Sequence, residues 1–277
     1  MALLLDILTT TAILYAVAAG LLLIFGVMKI VNFAHGAFLT IGAYASLVAA
    51  QLGLSPWAAF PLALLAGGVA GMAIEWLVVR PLYARPLDAI LATWGLGIVI
   101  GQLITLAFGR EVQLVPTPVQ GTVAVFGTDY SAYRLLLVVA AAVIGTGLAL
   151  VLTKTRFGLV TRAVIMNEHL ARGLGINSGA VRFLTFSVGA GLGSLAGALI
   201  TPRSSVDPNM GIPWLVNAFM LVMVSGSSMA SLLLATLVFG AVQVLLSTYA
   251  SPILGGLAIA VLAAITLRIR PKGFTRA

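Results

Sequence analysis

The stretch LLLDILTTTAILYAVAAGLLLIFGVM, Leu3 to Met28, holds a single charged residue, Asp6, close to its start. An uninterrupted apolar run of about 20 residues is what a helix needs to cross the hydrocarbon core of a bilayer. Runs of the same kind follow at Phe33 to Ala50, Pro56 to Val79, Ala89 to Phe108, Tyr133 to Thr153, Phe183 to Thr201, Pro213 to Met229, Ala230 to Tyr249 and Pro252 to Leu267. The two between Pro213 and Tyr249 are divided only by Ser225-Gly226-Ser227-Ser228, a turn signal. The pattern predicts an all-α, polytopic transmembrane helix bundle of about eight to nine spans, eight if one is re-entrant, with room for discontinuous helices. Residues 1–277 form one domain.

Composition agrees. Of 277 residues, 61% are apolar and 8% charged, against roughly 45–50% and about 25% in soluble globular domains. So few charges cannot clothe a water-facing surface, and the connections leave no room for a large extramembrane domain. The absence of Cys excludes disulfide frameworks, thiolate metal sites and cysteine nucleophiles. Met1 to Thr11 has neither the basic region nor the cleavage site of a secretory signal, so the first run is read as a retained span.

The net charge of +8 is read as the bias that keeps Lys and Arg in cytoplasmic loops. With nine crossings and the N-terminus outside, the inner side collects Lys29, Arg80, Arg85, Lys154, Arg156, Arg162, Arg172, Arg182, Arg268, Arg270, Lys272 and Arg276. Arg110, Arg134 and Arg203 remain outside.

Gly189, Gly193 and Gly197 recur every four residues, and Gly67/Gly71 and Gly97/Gly101 repeat the spacing. Such stripes let helix backbones approach closely in lipid, where no hydrophobic force drives association. All seven are read as helix-packing positions.

Polar groups within spans need a reason, because an ionised group at mid-bilayer costs roughly 2.5–3.5 kcal/mol on insertion scales. Glu75 is expected to pair with Arg80, Arg85 or Lys29. Asn32, His35 and Gly36 fall together where one span gives way to the next. They suit either a broken helix lining a path or a corner in which Asn and His satisfy backbone groups. With Thr93, Trp94 and Asn217 they form the candidate translocation path, sparse and uncharged as a path for a small polar solute requires. Gln102, Gln243 and Ser225 to Ser228 are the other polar groups in the runs. No metal ligand set and no catalytic residues emerge: two distant histidines and no paired intramembrane carboxylates leave little for acid–base chemistry.

The inner loop KTRFGLVTRAVIMNEHLARGLGINSGAVR, Lys154 to Arg182, carries five basic residues and one acidic one, Glu168. A helix over Thr161 to Arg172, stopped by Gly173 and Gly175, is predicted. It serves either as an amphipathic surface helix or as a docking element for a cytoplasmic protein.

RAVIMNEHLARGLGIN in that loop resembles the coupling motif of permease subunits in ATP-binding-cassette importers for branched-chain amino acids. These are the high-affinity LivH type, in a family that also includes urea and short-amide permeases. GLLLIFGVMKIVNFAHGAFLTIGAY (Gly20 to Tyr44), VVRPLYARP (Val78 to Pro86), LATWGLGIVIGQ (Leu91 to Gln102) and RIRPKGF (Arg268 to Phe274) resemble its other blocks, in order. The resemblance implies Arg162, Ala163, Glu168, His169, Ala171, Gly175 and Ile176 as ATPase-coupling positions, with His169 where the family commonly has Glu. It implies four kinds of partner: a second homologous permease subunit or a second copy, two ATPase subunits, a periplasmic solute-binding protein and the solute. It also implies a bacterial cytoplasmic (inner) membrane location. No G-x-x-x-x-G-K-[ST] phosphate loop occurs, so no cofactor is expected on this chain, and ATP and Mg belong to partner ATPase subunits. Where the family has a glycine-rich turn, this chain has Ser225 to Met229, and a serine does not take a left-handed position cheaply. Two alternatives stay open: a urea or amide permease, and a self-sufficient channel or facilitator.

Overall fold

The computed structural model describes residues 1–125, 127–271 and 273–274. Lys272 and Arg276 of the charge count lie outside the described residues. Among those described are eleven α-helices: α1 (Ala2–Met28), α2 (His35–Gln51), α3 (Ala59–Ile74), α4 (Pro86–Phe108), α5 (Ala132–Lys154), α6 (Arg156–Met166), α7 (Glu168–Gly173), α8 (Ser178–Ile200), α9 (Gly211–Ser225), α10 (Met229–Tyr249) and α11 (Pro252–Ile269). A 3-10 turn, Pro56–Ala58, leads into α3, which continues through a π-helical turn, Glu75–Val79, and a second 3-10 turn, Arg80–Leu82. Strands β1 (Thr122–Val125) and β2 (Thr128–Ser131) pair antiparallel, Thr122 opposite Ser131.

Seven helical runs are long and apolar enough to cross a membrane: α1, α3 with its extensions, α4, α5, α8, α10 and α11. The chain is a multi-pass membrane protein. α1 is apolar on every face, which suits only the centre of a bundle. It is buried almost throughout from Thr9 to Met28 and packs against α5, α8, α9 and α10. α4, α5, α10 and α11 turn residues such as Leu91, Val143, Leu233 and Ile253 outward.

The second and seventh predicted spans are shorter helices, 17 residues in α2 and 15 in α9. After Val17, α1 runs on for eleven residues, about 16 Å at 1.5 Å per residue. Lys29 then reverses the chain in the left-handed conformation, φ 55°. The six residues Lys29 to Ala34 lead back, and the wholly buried His35 side chain at the start of α2 reaches α1, its Nε2 2.9 Å from the Val17 carbonyl. The return passes through a bend at Ile30 and a turn at Phe33–Ala34, where Ala34 already has helical angles, φ −70° and ψ −5°. α2 therefore begins inside the bundle. α9 begins beside it, so close that a Cβ on Gly211 would lie 1.9 Å from the Gly36 carbonyl oxygen. The segment 201–210 is the descent from the end of α8 to that point.

Glycines permit these approaches. A Cβ on Gly197 would meet the Leu39 carbonyl oxygen at 2.0 Å, on Gly67 the Ser194 hydroxyl at 2.0 Å, on Gly71 the Ala190 Cβ at 2.5 Å, on Gly189 the Ile24 side chain at 2.5 Å and on Gly193 the His35 ring at 2.8 Å. Gly97 and Gly101 differ. Their nearest neighbours are the Phe33 and Pro208 carbonyl oxygens at 3.8 and 3.7 Å, so this stripe faces open space instead of a packed helix.

The hairpin is fastened to the first turns of α1, where the Tyr130 hydroxyl donates to Asp6 at 2.9 Å and Arg134 pairs with Asp6 at 2.6 Å. At the opposite end the helix expected over Thr161 to Arg172 is broken. Asn167 leaves helical geometry, ending α6 and capping α7 by accepting the Leu170 N–H at 3.0 Å. In the Ser225 to Met229 turn the left-handed position falls on Gly226, φ 65°, so no serine has to adopt it. Ser228 instead caps α10.

Candidate functional site

Two regions draw candidate functional residues together. The first is a cavity of about 120 Å³ at the level where α2 and α9 begin, walled by α2, α4 and the start of α9. Phe33, Trp94, Ile98, Ile212 and Leu215 make it apolar, and Thr40, Gln102 and Asn209 add the polar groups. Such a lining, apolar with a few placed polar groups, is typical of small-molecule sites. The Phe33 and Trp94 rings meet edge to face with centroids 5.4 Å apart. Gly97 and Gly101 line this cavity, and their missing side chains keep it open.

The candidate path residues divide between wall and support. Gly36 and Trp94 are on the wall. Thr93 stands behind it, accepting the Phe33 N–H at 3.3 Å and donating to the Ile90 carbonyl at 3.0 Å. Asn32 is buried and accepts the Ala34 N–H at 3.1 Å. His35, wholly buried, packs against α1 and α8. Asn32 thus bonds to the corner backbone and His35 to α1, while Asn32 Nδ2 and His35 Nδ1 are buried without a hydrogen-bond partner among the described residues. Asn217 is half-buried on α9, away from this wall. Pro208, Asn209, Ile212 and Leu215 were not among the predicted path residues, because a span drawn from apolarity does not show where a helix starts inside the bundle.

The second region is the α6–α7 face. Ala163, Ala171 and Ile176 turn inward onto Val27, Val164 and Val181. Arg162 and His169 face out, beside exposed Leu159, Met166, Leu170 and Leu174. Gly175, φ 82°, closes α7, and the Ile176 N–H reaches the Ala171 carbonyl at 3.0 Å, the bond pattern of a glycine-terminated helix.

Glu168 anchors this face to the spans. One carboxylate oxygen accepts from Arg172 at 2.7 Å and the other from Arg182 at the start of α8. The Arg182 guanidinium lies over the Tyr83 ring, 4.4 Å from its centroid, and the Tyr83 hydroxyl donates to Glu75. Glu75, fully buried in the π-helical turn, therefore takes a tyrosine partner. Arg80, Arg85 and Lys29 form no ion pair with it among the described residues, and Arg85 lies 3.8 Å from Asp88 instead. Tyr83 and Arg182 had no signal in the sequence beyond their residue types, since the contact joins segments a hundred residues apart.

With both regions defined, the chain can be set against known proteins. The family model described as "Branched-chain amino acid transport system / permease component" matches residues 3–267. The chain belongs to this branched-chain amino acid permease family. It is 27% identical over 245 residues to the high-affinity branched-chain amino acid transport system permease protein BraD of Pseudomonas aeruginosa, covering 82% of this chain and 80% of that one. It is 26% identical over 280 residues to a branched-chain amino acid transport permease protein LivH of Methanocaldococcus jannaschii, covering 95% and 88%. It also resembles the autoinducer 2 import system permease LsrC of Yersinia enterocolitica, 28% identical over 183 residues, 61% of this chain and 47% of that one. Such permeases are transport components rather than enzymes.

Two solved structures share the fold of this permease family member. PsaBC from Streptococcus pneumoniae in complex with Fab matches with a TM-score of 0.52 at 17% identity, covering 98% of this chain and 93% of that one. A metal-chelate type ABC transporter in an inward-facing conformation matches with a TM-score of 0.53 at 19% identity, covering 96% and 85%.

Proposed function

We infer that this permease is the membrane-spanning subunit of an ATP-driven importer and passes branched-chain amino acids delivered by a periplasmic binding protein. One observation carries the reading: a single chain combines a cavity at the starts of α2 and α9 with an exposed α6–α7 face tied by the Glu168–Arg182 ion pair to a span. A facilitator needs the first and has no use for the second. The names of the BraD and LivH relatives supply the solute class.

In this reading α6 and α7 lie on the cytoplasmic side of a bacterial inner membrane, the N-terminus and the hairpin outside and the C-terminus inside. The excess of basic residues at the α6–α7 end supports that orientation. Two ATPase subunits dock on α6 and α7 and hold the ATP and Mg, while this chain binds no cofactor. A second permease subunit, homologous or identical, completes the pore.

Closure of the ATPase pair displaces α7. Because Glu168 is held by both Arg172 and Arg182, the displacement passes to the start of α8 and, through Tyr83, to the π-helical turn at Glu75. That turn packs against α4, one wall of the cavity. A remote ligand thereby biases a two-state element, and π-helical turns recur at such functional breaks.

Uptake of labelled leucine and labelled urea into vesicles, by this chain co-expressed with its neighbouring ATPase, permease and binding-protein genes, tests the solute class. Leucine uptake is expected. Urea uptake without leucine uptake would transfer the chain to the amide branch.

A further inference from the structure

A second cavity of about 320 Å³ shares Gln102, Pro208 and Asn209 with the mid-bundle cavity and lies beside it toward the hairpin end. Its remaining walls are Thr105, Arg110 and Asp207. It contains one cation and one anion. Neither forms an ion pair among the described residues, although both border the same space.

The backbone sets both charges at the border of this space. Gly109, φ 84°, ends α4 and turns the chain so that Arg110 follows directly. Three residues later Gln113 pairs with Val206 through two backbone hydrogen bonds, of 3.0 and 2.8 Å. That bridge fixes the segment carrying Arg110 against the segment carrying Asp207, the residue after Val206. The Asp207 carboxylate accepts the Asn209 N–H at 2.9 Å, which sets its position and leaves its charge without a cationic partner. Opposite charges that face one space without closing on each other leave room for a ligand that bears both.

We propose that this vestibule is a binding site for the zwitterionic head of an α-amino acid, Arg110 taking the carboxylate and Asp207 the ammonium, with the side chain directed into the adjoining cavity between Phe33, Trp94 and Leu215. Arg presents a planar fork of donors that matches a carboxylate, and a carboxylate accepts from an ammonium. The apolar floor rewards a hydrophobic side chain. The site selects for the common head group in the vestibule and for the branched tail below it. This rests on the import reading and adds the residues that recognise the solute.

The test uses the complete permease complex in lipid nanodiscs, without its binding protein, and measures labelled L-leucine binding against three competitors. These are unlabelled leucine, L-leucinol, which lacks the carboxylate, and 4-methylpentanoate, which lacks the ammonium. Each analogue is expected to compete about tenfold less well than leucine, the scale of one lost charge-assisted contact. Arg110→Gln should abolish the preference for leucine over leucinol while keeping that over 4-methylpentanoate, and Asp207→Asn should do the reverse. Because the readout is a change in ratios, a variant with a smaller folded fraction still reports.

Unchanged ratios in both variants, wild-type competition by leucinol or 4-methylpentanoate equal to that by leucine, or no leucine binding would each overturn the site. ATP-driven uptake by the same complex with its binding protein separates the two readings. Normal leucine import with unchanged ratios overturns the site and keeps the importer. The expected ratios in a complex that imports no leucine keep the site and retire the import reading.

Discussion

His35 Nε2 lies 2.9 Å from the carbonyl oxygen of Val17, eighteen residues earlier in the chain and in the middle of the most buried helix. The contact fixes the depth at which α2 begins, and with it the upper wall of the cavity. Replacing His35 by Leu removes the bond from a wholly buried site, at a cost of about 1 kcal/mol or more. The thermal midpoint of the purified chain is expected to fall by several degrees. A variant as stable as the wild type, with slower transport, would place His35 in the path instead.

The glycines separate into two predicted classes. On Gly42 a methyl group would lie 1.7 Å from the Ser194 carbonyl oxygen, and on Gly197 2.0 Å from that of Leu39. Gly42→Ala and Gly197→Ala must push backbones apart, at roughly 1–3 kcal/mol or more each, and should lose monodisperse protein on size-exclusion chromatography. Gly97→Ala and Gly101→Ala meet nothing closer than 3.7 Å and should fold normally while narrowing the cavity. Equal loss of folded protein in both pairs would contradict the division.

At the α6–α7 face, Gly175→Pro and Arg162→Glu should abolish solute-stimulated ATPase activity of the assembled complex without preventing membrane insertion. Proline is fixed near φ −65°, whereas Gly175 has φ 82°. Arg162 is exposed, so its reversal alters the docking charge and leaves the packing of α6 intact. Full ATPase stimulation in both variants would show that the ATPase reads some other surface.

The Glu168–Arg182 pair gives a test of direction. Glu168→Gln leaves the mostly buried Arg182 guanidinium without its anion, a loss intermediate between exposed pairs of under about 1 kcal/mol and buried ones of about 3–5 kcal/mol. Solute moved per ATP hydrolysed should fall severalfold. The exchange Glu168→Arg with Arg182→Glu should recover part of it, measured as the ratio of uptake to phosphate release. No recovery, together with a normal ratio in Glu168→Gln, would make the pair a fastening without a part in coupling.

The long spans were legible in the sequence because a 20-residue apolar run leaves few choices in a bilayer. The starting points of α2 and α9 were not. Phe33 to Ala50 and Pro213 to Met229 are apolar enough to cross, and nothing in apolarity records the left-handed reversal at Lys29 and the turn at Phe33–Ala34 that start α2 inside the bundle. Glycine spacing had the same limit. Gly193/Gly197 and Gly97/Gly101 look alike, yet the first pair meets α2 and the second meets a cavity, because spacing fixes a face and says nothing of what lies opposite. Glu75 drew attention as a buried charge, but its partner Tyr83 lay beyond a π-helical turn that shifts the register of the helix. The coupling motif was visible as a motif. Its break at Asn167 and its ties to Arg182 arise from packing.

The measurement that bears most directly on the whole account is leucine accumulation against its gradient in vesicles carrying the assembled complex, with ATP, without ATP and with the ATPase subunits omitted. Accumulation only when ATP and the ATPases are both present is the predicted result. Leucine equilibrating at the same rate in all three conditions would contradict the importer and leave the chain a facilitator.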